Sequence, residues 1–168
     1  MIPEYKKILF ATDVSIGAET ILRNAVAVAR AHQAQIEMLH VLPDVDQALV
    51  NYVSVFMGSE QLAGYEAEHK DRVAAELSQR LRDFAARELA DHPEDLARIE
   101  RIEVMHGPPA STILSQAKKR KIDLLVIGTH GKGRIEYAFL GSIAQKIMRR
   151  SEIPVLLIPL TKPLSAEN

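Results

Sequence analysis

Leu124-Leu125-Val126-Ile127-Gly128-Thr129-His130-Gly131-Lys132-Gly133 carries a short apolar run straight into a glycine-rich loop, and Gly141-Ser142 follows eight residues later. An apolar run of this length, bounded by a turn signal, reads as a buried parallel strand covered on both faces. Gly128 lets the chain leave the strand without a Cβ in the way, and the loop beyond it has backbone N–H groups to spare. Ser142 precedes Ile143, Ala144, Ile147 and Met148 at helical spacing. It is therefore expected to cap a helix whose unpaired N–H groups and positive dipole end attract an anion.

Outward from this stretch the chain alternates short apolar runs with amphipathic segments, the pattern of an α/β fold. Ile8 to Ala11 reads as the first strand. Ile21, Leu22, Ala25, Val28 and Ala29 then recur at helical spacing, and Ile36 to Val41 reads as the second strand. From Asp44 to Gly64 the pattern is irregular. A long helix follows, with Val73, Leu77, Leu81, Phe84 and Leu89 on one face, and it is expected to end at Pro93. Arg101 to Met105 alternates charged with apolar residues, as a half-exposed edge strand does, and Pro108-Pro109 opens a helix bearing Ile113, Leu114 and Ala117. Val155 to Ile158, between two prolines, is the fifth strand. Five strands joined by helices imply an open, mostly parallel sheet with helices on both faces. Ligands then belong at the carboxyl ends of the strands, where the loops after the first and fourth strands can face each other. Asp13 sits on the first of those loops.

With 168 residues the chain suits one domain, expected over residues 1–160, with 161–168 as a flexible tail. It is 47% apolar and 26% charged, and its net charge of −1 gives no general drive towards nucleic acid or anionic membrane. Any anion must be bound locally. The absence of cysteine excludes disulfides and thiol catalysis, and neither a signal peptide nor a membrane span is visible, so the cytoplasm is the expected location.

Two better-known phosphate motifs nearly fit. A Walker A loop needs Lys and then Ser or Thr after its second glycine, but Gly133 is followed by Arg134 and Ile135. A dinucleotide fingerprint would need glycine where Glu136 stands, and it should follow the first strand rather than a late one.

Gly128-x2-Gly131-x9-Gly141-Ser142, together with Ala11-Thr12-Asp13 after the first strand, His40 to Asp44 (HVLPD) and Pro154-Val155-Leu156, resembles the universal stress protein family over nearly the whole chain. The glycine spacing matches the family's nucleotide-binding form. The resemblance implies strand order 3-2-1-4-5, an adenine nucleotide α-hydrolase-like fold, and a site for ATP, ADP or AMP. Carried over by position, Asp13 would hold the ribose hydroxyls, and Ala11, Thr12 and Val41 would border the adenine. Gly128, His130, Gly131, Gly141 and Ser142 would line the phosphates. Ile127, Lys132, Gly133 and Ile143 complete the expected site, with Lys132 near enough in sequence to screen phosphate charge. Ala144 stands where some family binders carry a hydroxyl residue, so AMP or ADP could compete with ATP.

Each of these residues also has a plainer reading. Asp13 or Ser15 could simply cap the first helix. Lys118, Lys119, Arg120 and Lys121 form the densest basic run, but they end a helix, where cations offset the negative dipole end, and nucleic-acid binding is not expected of them. The six histidines show no spacing suited to a metal, so no structural metal site is expected; any Mg²⁺ or Mn²⁺ would arrive with the phosphates.

No residue is marked as a catalyst. The leading reading is a nucleotide-binding regulatory module with slow or absent hydrolysis. One alternative is an enzyme hydrolysing ATP or transferring from it, although Ala11-Thr12-Asp13-Val14-Ser15 lacks the glycines such a first loop uses. Another is a nucleotide-independent protein-interaction module with an unidentified protein partner. The apolar run Val155-Leu156-Leu157-Ile158, an edge strand in the family's order, is expected to pair edge to edge in a homodimer.

Overall fold

The computed structural model describes residues 1–15, 17–44, 55, 58–129 and 140–160. Among these, β1 (Lys7–Ala11), β2 (Gln35–Leu42), β3 (Ile99–His106), β4 (Leu124–Gly128) and β5 (Val155–Ile158) form a five-stranded sheet in the order β3-β2-β1-β4-β5. Every neighbouring pair is parallel. This is the doubly wound order that the family resemblance implies. The central strand shows why these residues make strands: Ile8, Leu9 and Phe10 are fully buried, pointing alternately to the two faces.

Helices cover both faces. On one, α1 (Ala18–His32) and the long α2 (Ser59–Glu88) pack Ile21, Leu22, Ala25, Leu81 and Phe84 against Ile8, Phe10, Ile36 and Met38. On the other, α4 (Pro109–Lys119) and α5 (Ser142–Arg150) pack Ile113, Ala117, Ala144 and Ile147 against Leu9, Leu39, Leu125 and Ile127. Burying each large aliphatic or aromatic side chain contributes roughly 1.5–3 kcal/mol, which stabilises two such layers on one sheet.

Several local expectations are corrected. Pro93 does not simply stop the long helix. It opens a short helical turn, α3 (Pro93–Leu96), whose Asp95 is completely buried. Asp95 receives Arg30 Nε on both carboxylate oxygens, at 2.9 and 3.0 Å, and Arg98 Nε stands 3.5 Å away. The clamp ties the end of α1 to the approach to β3. Arg120, read as one of four dipole-facing cations, instead turns under the sheet. Its guanidinium donates to Glu37 on β2 at 2.8 Å and to Glu103 on β3 at 2.6 Å, and its side chain is 9% exposed. The long helix also starts earlier than expected and includes Gly64. The expected tail, 161–168, lies outside the described residues.

Candidate functional site

The chain runs from β1 outward to β2 and β3 and then returns to β4, so β1 and β4 are neighbours with connections leaving in opposite directions. A crevice opens at the carboxyl ends of such a strand pair. Two loops meet there.

The first follows β1. Thr12 donates its N–H to Leu39 O at 2.9 Å, continuing the pairing with β2 one residue beyond the strand. The side chains of Thr12 and Asp13 then bend the chain on themselves. Thr12 Oγ1 accepts from the N–H of Val14, and Asp13 Oδ1 accepts from the N–H of Ser15, each at 3.0 Å. These are the local turns that short polar side chains favour. Val14 sits at φ +57°, a left-handed conformation that a β-branched residue rarely adopts, so the turn holds backbone strain. Neither Asp13 nor Ser15 caps α1. The cap position belongs to Gly17 at φ +95°, with no side-chain bond.

His40, which its type alone did not mark, braces this turn from β2. Its Nδ1 lies 2.6 Å from Thr12 O, and its side chain is buried. A carbonyl only accepts, so Nδ1 carries the proton. The signal was present in the His40-to-Asp44 segment, but a histidine in a strand does not announce which carbonyl it will meet.

The second loop follows β4. Thr129 donates its N–H to Ile158 O at 3.0 Å, and its Oγ1 accepts from the N–H of Leu160 at 3.0 Å. Its carbonyl accepts from the N–H of Gly141 at 2.8 Å. This last bond brings the start of α5 back to the exit of β4. Gly141, in extended conformation, occupies the helix cap position and its carbonyl accepts from Gln145; Ser142 is the first helical residue, not the cap, and no side chain caps the helix. The first-turn N–H groups of α5 lie at the start of a helix, where the positive dipole end attracts an anion, and Gly141 brings this end beside the exit of β4. Gly128 also sits close to its neighbours: a Cβ there would stand 2.7 Å from Ile21 Cδ1 and 3.0 Å from Leu160 Cδ1, so both side chains would have to shift.

The expected site residues thus divide into groups. Thr12, Asp13, Gly128, Gly141 and Ser142 lie at the ends of β1 and β4 and the start of α5. The side chains of Ala11, Val41 and Ile127 belong to the core beneath α4 and α5, with 8%, 8% and 5% exposure. Ile143 is 44% exposed on α5. His130, Gly131, Lys132 and Gly133 lie outside the described residues.

Away from the crevice, His92, Glu94 and Asp95 bring three possible metal-ligand atoms within 4.8 Å of one another, a grouping the histidine spacing did not suggest. The Asp95 carboxylate, however, is already engaged by Arg30 and Arg98, whose positive charges oppose a cation. No helix among the described residues is long and apolar enough to cross a membrane.

Comparison with known proteins agrees with this architecture. Universal stress protein MJ0577 of Methanocaldococcus jannaschii is 26% identical over 158 residues, covering 92% of this chain and 94% of that protein. Its solved structure superposes with a TM-score of 0.69 at 23% identity, over 96% of this chain and all of that one. A universal stress protein of Thermus aquaticus is 31% identical over 157 residues, covering 92% of this chain and 98% of that protein. A structure of a universal stress protein in complex with cAMP shares the fold, with a TM-score of 0.52 at 19% identity, over 94% of this chain and 98% of that one. The model of the universal stress protein family matches residues 4–159, and with the sheet order and the crevice loops this makes the chain a member of the universal stress protein family.

Proposed function

We propose that this protein is an adenine-nucleotide-binding regulatory module of the cytoplasm, holding ATP, ADP or AMP in the crevice at the ends of β1 and β4. The observation that carries this reading is the 2.8 Å bond from the Gly141 N–H to Thr129 O, which brings the start of α5 back beside the exit of β4. One strand away lies the self-bonded Thr12–Asp13 turn. Anion-attracting helix N–H groups on one side and a carboxylate on the other suit a phosphate and a ribose respectively.

In this reading Asp13 holds the ribose hydroxyls, and Ala11, Thr12 and Val41 border the base through their strand-end edges. Gly128, Gly141 and Ser142, with His130, Gly131, Lys132 and Gly133, receive the phosphates, and Ile127 and Ile143 flank them. His40 keeps the Thr12 carbonyl in place. A divalent cation, Mg²⁺ or Mn²⁺, would enter with the phosphates. The neighbour in complex with cAMP is consistent with an adenine nucleotide in this fold. Turnover in this reading is slow or absent, since the sequence marks no residue as a catalyst.

Isothermal titration of nucleotide-free protein tests the reading. Saturable heat is expected for at least one of ATP, ADP and AMP in the presence of Mg²⁺. Asp13→Ala should weaken that binding roughly tenfold or more, the scale of one lost charge-assisted hydrogen bond. No heat with any of the three nucleotides sinks the proposal.

A homodimer through β5 is part of the same proposal. Val155, Leu156 and Leu157 are only half-buried on this edge strand. Met148, 47% exposed, lies on the flank of α5 turned away from Ile143, Lys146 and Arg150, at about 100° per residue. An apolar edge of this kind favours pairing with a second copy. Sedimentation should give twice the 18.7 kDa chain mass. A monomer mass throughout the micromolar range would refute the dimer.

A further inference from the structure

The groove between α4 and α5 combines an aliphatic floor with a rim of three cations and one acid, Glu152, which pairs with Lys118 and leaves Lys146 and Arg150 without an ion-pair partner among the described residues. Two adjoining hollows of about 220 Å³ each share Arg150. Leu114, Ala117 and Ile153 lie in one, with Lys118 at its edge; Pro108 and Ile143 lie in the other, with Lys146 at its edge. Ile143, Lys146 and Arg150 recur at helical spacing on α5, so one flank of that helix presents an aliphatic side chain and two cations together.

Of the cations on and just after α4 and on α5, Lys118, Lys146 and Arg150 border the two hollows, while Lys119, Lys121 and Arg149 lie outside their lining. Lys118, Lys119, Lys121, Lys146, Arg149 and Arg150 are all exposed, although the whole chain carries a net charge of −1. Among the described residues from Gly107 to Leu160 the acids are Asp123 and Glu152. Asp123 Oδ2 accepts from the N–H groups of Lys6 and Lys7 at 2.8 Å, and Glu152 stands 3.3 Å from Lys118. Lys146 and Arg150 have no acid beside them in this set.

We infer that this groove is a docking surface for an acidic, amphipathic segment of a partner protein. Recessed aliphatic hollows accept leucine-type side chains, and the rim cations match carboxylates on either side of them. A nucleic acid is a poorer match, because none of the groove residues offers an aromatic face for a base to stack on. An anionic membrane is also a poorer match, since the aliphatic residues of the two hollows, of which Ile143 is 44% exposed, do not form the continuous apolar helix face that lies in a bilayer surface. The inference does not rest on the nucleotide reading: Lys146 and Arg150 lie beyond the first turn of α5.

The test uses the full chain and a short fluorescein-labelled peptide carrying Leu at i, i+3, i+4 and i+7 with Glu elsewhere, followed by anisotropy and amide NMR. Saturable, salt-weakened binding is expected, with amide shifts confined to residues 108–118 and 143–153. The double reversal Lys146→Glu, Arg150→Glu changes two exposed side chains, so thermal unfolding should match the parent while binding falls roughly tenfold or more. Absent binding, binding indifferent to the reversal, or equal binding of a peptide with Lys in place of Glu would overturn the inference. So would preferential binding of a single-stranded oligonucleotide or of phosphatidylserine vesicles.

Discussion

Arg120→Ala is expected to destabilise the fold by about 3 kcal/mol, although the residue lies at the opposite end of the sheet from the candidate site. Glu37 is 6% exposed at its side chain and faces the α4 layer, where its Oε2 receives Arg120 Nη1 at 2.8 Å. Without the guanidinium, the carboxylate's remaining ion-pair partner among the described residues is Arg101, 3.8 Å away and itself 55% exposed. Losing one partner of a buried pair costs more than the pair contributes net, because the remaining charge has given up its water. The figure falls at the lower end of the range for buried pairs because Glu103 is 38% exposed and can be rehydrated. Urea denaturation should show a lower midpoint with an unchanged slope. The companion variant Glu37→Leu, Arg120→Met removes both charges and should recover to within about 1 kcal/mol of the parent. A shift below about 0.5 kcal/mol for Arg120→Ala alone would mean that water already screens Glu37.

Asp95→Asn should cost about 2 kcal/mol at neutral pH, and the deficit should vanish in acid. Asp95 has no exposed surface, and Arg30 grips both of its oxygens. The hydrogen bonds from Arg30 hold the carboxyl below the usual carboxylate range, against the opposing effect of burial. A folded-state pKa below the unfolded value of about 3.9 means that the folded chain releases this proton more readily, so the stabilisation is complete above about pH 5. It is lost as pH falls through the lower folded value. The parent and the Asn variant should therefore differ most near neutrality and converge in melting temperature only once the pH has fallen below the lowered folded value. A gap that stays constant with pH would show that the side-chain shape, rather than its charge, matters. The cost stays near ~2 kcal/mol because the Arg30 side chain is 51% exposed and water takes up part of the lost contact.

These two clamps and the crevice show how far the chain could be read in advance. The strands were legible because each is a short apolar run bounded by turn residues, and α1, α4 and α5 because their buried positions recur at helical spacing. Gly128 and Gly141 were legible as loop-forming positions, since glycine tolerates close approach wherever it sits. The sheet order was different: it came with the family resemblance, as periodicity says nothing about which strands lie side by side. Reading Ser142 as the cap followed residue preference, and it failed because Gly141 already fills the extended cap conformation while bonded to Thr129.

The sequence by itself determined the element pattern, the class of fold and the loops at which a ligand could enter, because those depend on neighbours within a few turns of chain. Only the tertiary structure decided which of several chemically similar side chains does what. Arg120 rather than Lys118, Lys119 or Lys121 goes under the sheet to a carboxylate 83 positions away. Asp95, 65 positions from Arg30, is buried, and His40 among six histidines braces a carbonyl 28 positions back. The physical reason is common to all three: a charge or ring nitrogen acquires its role from the partner that meets it after burial, and that partner is chosen by packing, not by local sequence.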